Sequence, residues 1–235
     1  MTRLAMKEIM TQPQPRSLPR CQSALRSSFL ALAAVAALGL MTTFAVPAHA
    51  QNSTQVHDPS ALKPPAGARV AIVEFEDMEC PDCARANPLL KEASDKYHIP
   101  WVRHDFPLSF HAWSFQAAVN ARWFDTKGKK TGDDYRDAVF AAQPSIATLD
   151  NLRTFTEKYA ADHKISMPFA LDPQGTLTAL VKADYALGQR VGIEHTPTIW
   201  VTTSQSKGAP FVEVVDRTKL YQLIDQALAD TKSGK

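Results

Sequence analysis

Cys80-Pro81-Asp82-Cys83 joins an apolar run, Val70-Ala71-Ile72-Val73-Glu74-Phe75, to a stretch of helical character from about Pro81 to Tyr97. A run of that length suits a buried strand in a mixed sheet. Pro81 suits the first helical position, where a missing N–H goes unused, and Pro88 is expected to kink the same helix. The first sulfur therefore stands at a helix N-terminus, where unpaired N–H groups and the positive end of the dipole stabilise a thiolate. Such positions lower a cysteine pKa from about 8.5 to roughly 3.5–7.5, and only the thiolate attacks a disulfide. Cys80 is thus the candidate nucleophile, and Cys83, one turn deeper, the candidate that attacks the mixed disulfide. Half of a zinc site would share the spacing, but tetrahedral zinc needs two further thiolate or imidazole ligands. No histidine pair has zinc-motif spacing, so neither a metal nor a cofactor is expected.

The N-terminus accounts for the remaining cysteine. Five basic residues (Arg3, Lys7, Arg16, Arg20, Arg26) precede an apolar run from Phe29 to about Val46, which ends in Ala48-His49-Ala50. This pattern describes a secretory signal peptide over residues 1–50, cut after Ala50, with an uncleaved membrane anchor as the alternative. Cys21 leaves with it, so Cys80 and Cys83 alone remain of three cysteines. A disulfide closing so small a loop removes little entropy from the unfolded chain, which points to chemistry rather than to stapling. The precursor carries 26 basic and 24 acidic residues; losing five bases and the single acid Glu8 leaves 21 and 23, a net charge of −2. A mildly acidic body with scattered charges offers no nucleic-acid footprint. Lys127, Lys129 and Lys130, beside Gly128 and Gly132, read as a solvated loop.

Residues 51–67 are polar and contain Pro59, Pro64, Pro65 and Gly67, which suggests a flexible lead-in. Trp101 to Phe106 reads as a second strand. From Ser109 to Arg190 the period is helical: Phe115, Val119 and Trp123 form one stripe, Leu149, Leu152, Phe155 and Tyr159 a second, and Leu177, Leu180, Val181 and Leu187 a third. These stripes read as core, with Asp150 and Asp172-Pro173 as helix starts or breaks. Thr198–Val201 and Phe211–Val215 read as a hairpin, and Leu220, Leu223, Ile224, Ala227 and Leu228 as the apolar face of a last helix. With the helical block 109–190 removed, the order is β-α-β-β-β-α. That makes an α/β protein with a thioredoxin-like fold and an inserted helical domain, its two halves at 68–108 and 191–231, followed by a tail at 232–235. Pro197 must sit at a strand start, as a cis or an ordinary trans proline.

The ordered motifs Glu74-Phe75 and Cys80-Pro81-Asp82-Cys83, then Pro88, Asp105-Phe106-Pro107-Leu108 and Gly192 to Ile199, resemble the DsbA-like family. Its members are thioredoxin-fold oxidoreductases of the bacterial cell envelope. The resemblance runs from about Val70 to Ala229. It implies a redox disulfide between Cys80 and Cys83, with Thr196-Pro197 as the cis-proline loop that presents backbone to an extended substrate. It also implies that Glu74 is a buried carboxyl beneath the disulfide, positioned to take a proton from the inner thiol; a strand-end surface acid is the alternative. Where the strongest oxidants of the family have a histidine, this chain has Pro81-Asp82, with Glu79 alongside. Carboxylates there oppose a thiolate, so a weaker oxidant is expected. His195 either lies near Cys80 and offsets those acids, or is a solvent-exposed loop histidine.

These expectations describe a thiol–disulfide exchange enzyme of exported proteins, probing their cysteines in the periplasm or another extracytoplasmic space. A dithiol oxidase would need a membrane quinone-linked partner to reoxidise it, as the family implies. The alternatives are an isomerase or reductase kept reduced, and a non-catalytic thioredoxin-fold binding protein.

Overall fold

The computed structural model describes residues 53–204 and 210–232. The expected signal peptide lies outside them. No helix among the described residues is long and apolar enough to cross a membrane.

Four strands form the sheet: β1 (Val70–Glu76), β2 (Trp101–Asp105), β3 (Thr198–Thr203) and β4 (Phe211–Glu213), in the order β2-β1-β3-β4. β1 runs parallel to β2, with Glu74 opposite Arg103, and antiparallel to β3; β3 and β4 form the antiparallel hairpin. Every residue of β1 is buried, because the strand is central and covered on both faces. Side chains alternate across it. Val70 and Ile72 face α1 (Pro81–Tyr97) and α6 (Leu220–Lys232), packing with Leu90, Leu220 and Ile224. Val73 and Phe75 face the other way, toward Phe106, Val191 and Trp200. Glu74 and Glu76 share the face of Val70 and Ile72, so the strand directs two carboxylates under the start of α1.

The inserted block holds α2 (Ser114–Asp125), α3 (Lys129–Ala142), α4 (Leu149–Asp162) and α5 (Thr176–Val191). Val119, Trp123, Leu152, Tyr159, Leu177 and Val181 are core, joined by Phe124 and Tyr135, whose rings stack 4.3 Å apart. Phe115, Leu149 and Leu180 are exposed, so each expected stripe is wider than the face that packs. The lysine cluster is not a loop throughout: Lys129 and Lys130 open α3, where they pair one turn on with Asp133 and Asp134 at 2.5 and 2.7 Å. The cap of α4 is Thr148, whose hydroxyl accepts from the Asn151 N–H, rather than Asp150. Asp172 stands ahead of α5, whose cap is Gly175, and accepts from the N–H groups of Leu177 and Thr178 in its first turn. Gly188 of α5 lies so close to the sheet that a Cβ would stand 2.5 Å from the Phe106 ring.

The segment read as a flexible lead-in packs on the body from Thr54 onward. Leu62 is buried, the His57 N–H donates to the Val191 carbonyl at 2.9 Å, and Thr54 binds the Glu213 carboxylate through both its N–H and its hydroxyl. Its apolar residues Val56, Ala61 and Leu62 join the Phe75–Trp200 core, which holds the segment down despite its prolines. The helical core meets the sheet domain at Met78, Cys80 and Cys83, which belong to the same cluster as Trp113 and Tyr135. The cysteine pair therefore lies on the seam between the two parts.

Candidate active site

Cys80 is the N-cap of α1, in extended conformation, with Pro81 as the first helical residue. Its sulfur is nearly buried and donates to the Thr196 carbonyl at 3.3 Å. The Thr196–Pro197 peptide is cis, and Pro197 lines a groove of about 130 Å³ with Asp82, His195 and Arg217. The Cys80 thiol is lowered to about 5, first by the Cys83 thiol acting as hydrogen-bond donor, then by the N–H of Cys83, against the opposing effect of burial. The Thr196 hydroxyl and the Asp82 N–H add to it. That hydroxyl is buried with no hydrogen-bond partner among the described residues. A thiolate so placed gathers the donors that a helix start leaves unpaired.

Cys83 has the opposite environment. It is fully buried, and burial pushes its thiol well above the ordinary range, reinforced by the donation to Cys80 and by the nearby Glu74 carboxylate. The Asp77 N–H donates to its sulfur at 3.4 Å. Glu74 is fully buried, and its carboxyl pKa is raised well above normal by burial first and by Glu76 second; Arg103 and the hydrogen bond from Trp101 Nε1 at 3.0 Å oppose the rise. Glu76 differs from it in being directly gripped by the Arg103 guanidinium, Nε and Nη2 reaching its carboxylate at 2.8–3.1 Å. The two acids of one strand face thus divide: Arg103 grips Glu76 directly, while Glu74 is held, among the described residues, only by the Trp101 N–H, near Cys83.

The carboxylates expected to oppose the thiolate are both engaged elsewhere. Glu79 turns away from the sulfur and accepts the N–H groups of Trp113 and Ser114 at 2.6 and 3.0 Å, at the N-terminus of α2. Asp82 accepts from Arg85 Nη2 at 3.0 Å and from Arg217 Nη2 at 2.7 Å. Pro81 and His195 are exposed, His195 on the loop that leads to the cis proline.

Three residues that hold the site were not singled out from the sequence. Asp77 is buried and ties the active-site turn to the loop after β2, accepting from the N–H of Leu108 and pairing with His111 Nδ1 at 2.7 and 2.8 Å. Gln143, at the end of α3, donates to the carbonyls of Met78 and Cys80, each at 3.0 Å. Arg217 belongs to a 3-10 turn between β4 and α6. None carries a local motif; each is found only by the contact it makes across more than 30 residues of chain. Among the described residues, no group of three or more His, Cys, Asp or Glu side chains is gathered to hold a metal ion.

No curated protein sequence matches the chain. Among solved structures it is similar to a point variant of alpha-DsbA1 from Wolbachia pipientis, at 14% identity over 76% of this chain and 96% of that one, with a TM-score of 0.57. It is similar to ScsC from Proteus mirabilis in a transitional conformation, at 18% identity over 71% of each chain and a TM-score of 0.55. It is also similar to DsbA2 from Pseudomonas aeruginosa, at 23% identity over 76% of this chain and 98% of that one, with a TM-score of 0.50. At these identities the likeness is one of fold: a thioredoxin-like sheet domain with an inserted helical region. A family model described as thioredoxin, Thioredoxin_4, matches residues 66–218, which contain both cysteines, the cis proline and the whole helical block. The chain belongs to that thioredoxin family.

Proposed function

We propose that the protein is a thiol–disulfide oxidoreductase that acts as a dithiol oxidase on exported proteins through Cys80 and Cys83. The observation that carries the proposal is the contrast between two sulfurs one turn apart: an outer one held by donors beside the Thr196 carbonyl, and an inner one buried over Glu74. In the disulfide form, a substrate thiolate attacks the Cys80 sulfur. The Cys80–Cys83 bond breaks, a mixed disulfide forms, and Cys83 leaves as a thiolate that takes a proton from Glu74. A second substrate thiolate then attacks the substrate sulfur of the mixed disulfide and expels Cys80 as a thiolate. Two electrons pass to the enzyme, and the substrate gains a disulfide. A low pKa makes Cys80 the good leaving group in that last step, which favours oxidation of the substrate. The groove beside Pro197 is lined by Asp82, two residues from the reacting sulfur, and offers a place for an extended substrate segment.

Export follows from the signal-peptide pattern of residues 1–50, and a periplasmic site from the family resemblance. There the reduced enzyme is reoxidised by a membrane quinone-linked partner. The experiment that tests the function measures oxidation of a reduced cysteine peptide beside reduction of insulin, with Cys83→Ser as a trap. Peptide oxidation, a mixed disulfide on Cys80 in the trap, and a Cys80–Cys83 disulfide in cells are expected. Insulin reduction with a dithiol in cells would make the protein an isomerase or reductase. No turnover and no trapped adduct would make it a binding protein.

A further inference from the structure

Arg217 reaches the first turn of α1 from 135 residues away. Its Nη2 donates to Asp82 Oδ1 at 2.7 Å and its Nη1 to the Asp82 carbonyl at 3.2 Å. The planar guanidinium makes this a two-point grip, which fixes direction as well as distance. The turn that carries it is itself pinned: the Asp216 carboxylate accepts from the N–H and hydroxyl of Thr218 at 3.0 and 2.6 Å. Arg85 binds the same Asp82 oxygen, but at one point and from the solvent side, 67% exposed.

A pair exposed to this degree (32% for Arg217, 39% for Asp82) adds little to stability. Its location gives it another use. Asp82 stands two residues from Cys80, and a carboxylate free to turn toward a thiolate disfavours it. We propose that Arg217 is a positioning residue for the redox site, holding Asp82 so that its charge is compensated and kept off the Cys80 sulfur. The inference rests on the oxidoreductase reading and adds the residue that sets the redox poise. Arg217 also faces the buried Glu74 closely enough to favour its ionised form, and it lines the groove with His195 and Pro197. One cation thus borders both ends of the exchange. The charged and titratable groups around Cys80 and its groove are Asp82, Cys83 and Arg85 on α1, His195 on the cis-proline loop, Arg217 on the turn before α6, and Glu74 below Cys83; Glu79 is turned onto α2, and Glu213 of β4 is held by Thr54.

The test is the thiolate titration of Cys80 and the equilibrium of the protein with glutathione, in wild type, Arg217→Ala, Asp82→Asn and the double variant. Coulomb attraction across a partly exposed site predicts that Arg217→Ala raises the Cys80 pKa by about half to one unit and shifts the equilibrium roughly three- to tenfold toward the disulfide form. In the Asp82→Asn background the same substitution should shift it by less than half as much on the pKa scale, because no carboxylate is left to restrain. Arg217→Lys, with one contact point, should fall between wild type and alanine. Should the alanine variant fail to fold, Arg217→Gln is expected to behave as alanine does. No change in either quantity, or an equal shift in both backgrounds, overturns the role of Arg217. An ordinary Cys80 thiol in the wild type is a different outcome, since it removes the enzymatic reading itself.

Discussion

Arg103 and Glu76 face each other from neighbouring strands with both side chains at most 3% exposed, their charged groups 2.8 Å apart. Arg103 extends the network to Asn87 at 3.0 Å and Asp137 at 3.1 Å, and packs its guanidinium 4.1 Å over the Trp101 ring. Removing one partner of such a pair leaves an uncompensated buried charge, whereas removing both is far less harmful. Arg136 Nε stays 3.5 Å from Glu76 and compensates it in part, so Arg103→Met should lower the unfolding free energy by about 3 kcal/mol, the low end for a broken buried pair. The double variant Arg103→Met, Glu76→Gln should recover a large part of that loss in urea denaturation.

Glu74 is the acid that Arg103 does not grip directly, and burial raises its carboxyl well above the ordinary range. Its raised pKa means that the folded state retains a proton that the unfolded chain releases above about 4.3. Wild-type stability should then fall as pH rises from that value through the folded one. Glu74→Gln has no proton to release and keeps the contact to Trp101, so its stability advantage over wild type should grow across the same window. Proton exchange with Cys83 should suffer in return, slowing turnover by about 10²-fold, the low end of general acid–base contributions. Melting curves over pH and single-turnover rates read the two effects separately.

Asp82→His should make the protein more oxidising. The substitution removes a negative charge two residues from Cys80 and places an additional cationic donor, when protonated, at the start of α1. A shift in the glutathione equilibrium of roughly three- to tenfold toward the dithiol form is expected, about 15–30 mV for a two-electron couple. An unchanged or lower potential would contradict the idea that the charge at position 82 sets the redox poise.

Gly188→Ala tests how α5 seats on the sheet. The added methyl would stand 2.5 Å from the Phe106 ring and 3.1 Å from Phe75, so rings or helix must shift. Overpacking of this kind costs about 1–3 kcal/mol, and the loss should appear in the denaturation midpoint. Phe75 stacks on His104 and Phe106 on Tyr185, so both rings are held from behind and have little room to retreat.

The order of elements along the chain and the bounds of α1 follow from local pattern: an apolar run, a proline at the first helical position, and a helix that closes after Tyr97 at a left-handed His98. The placement of Cys80 at a helix start is legible for the same reason. Directions of side chains are not. Glu79 is adjacent to Cys80 in sequence, yet its carboxylate serves the opening of α2, which only the folded seam brings near. The same-face spacing of Glu74 and Glu76 places two acids together, but which one is paired is not readable even from the register: Arg103 lies opposite Glu74, yet its guanidinium reaches two residues on to Glu76. Nothing in the residues around Arg217 signals Asp82, because the pairing depends on how the last turn closes over α1. The lysines at 129 and 130 misled because glycines on either side look like a loop, while the aspartates one helical turn on carry the opposite message.

The most direct measurement is the pH titration of the Cys80 thiolate in the reduced protein, followed by its ultraviolet absorbance and by the rate of alkylation. A midpoint near 5 is the predicted result. A midpoint at or above the ordinary cysteine value of about 8.5 would contradict it, since a sulfur without helix-start donors could not act as the leaving group that the exchange requires.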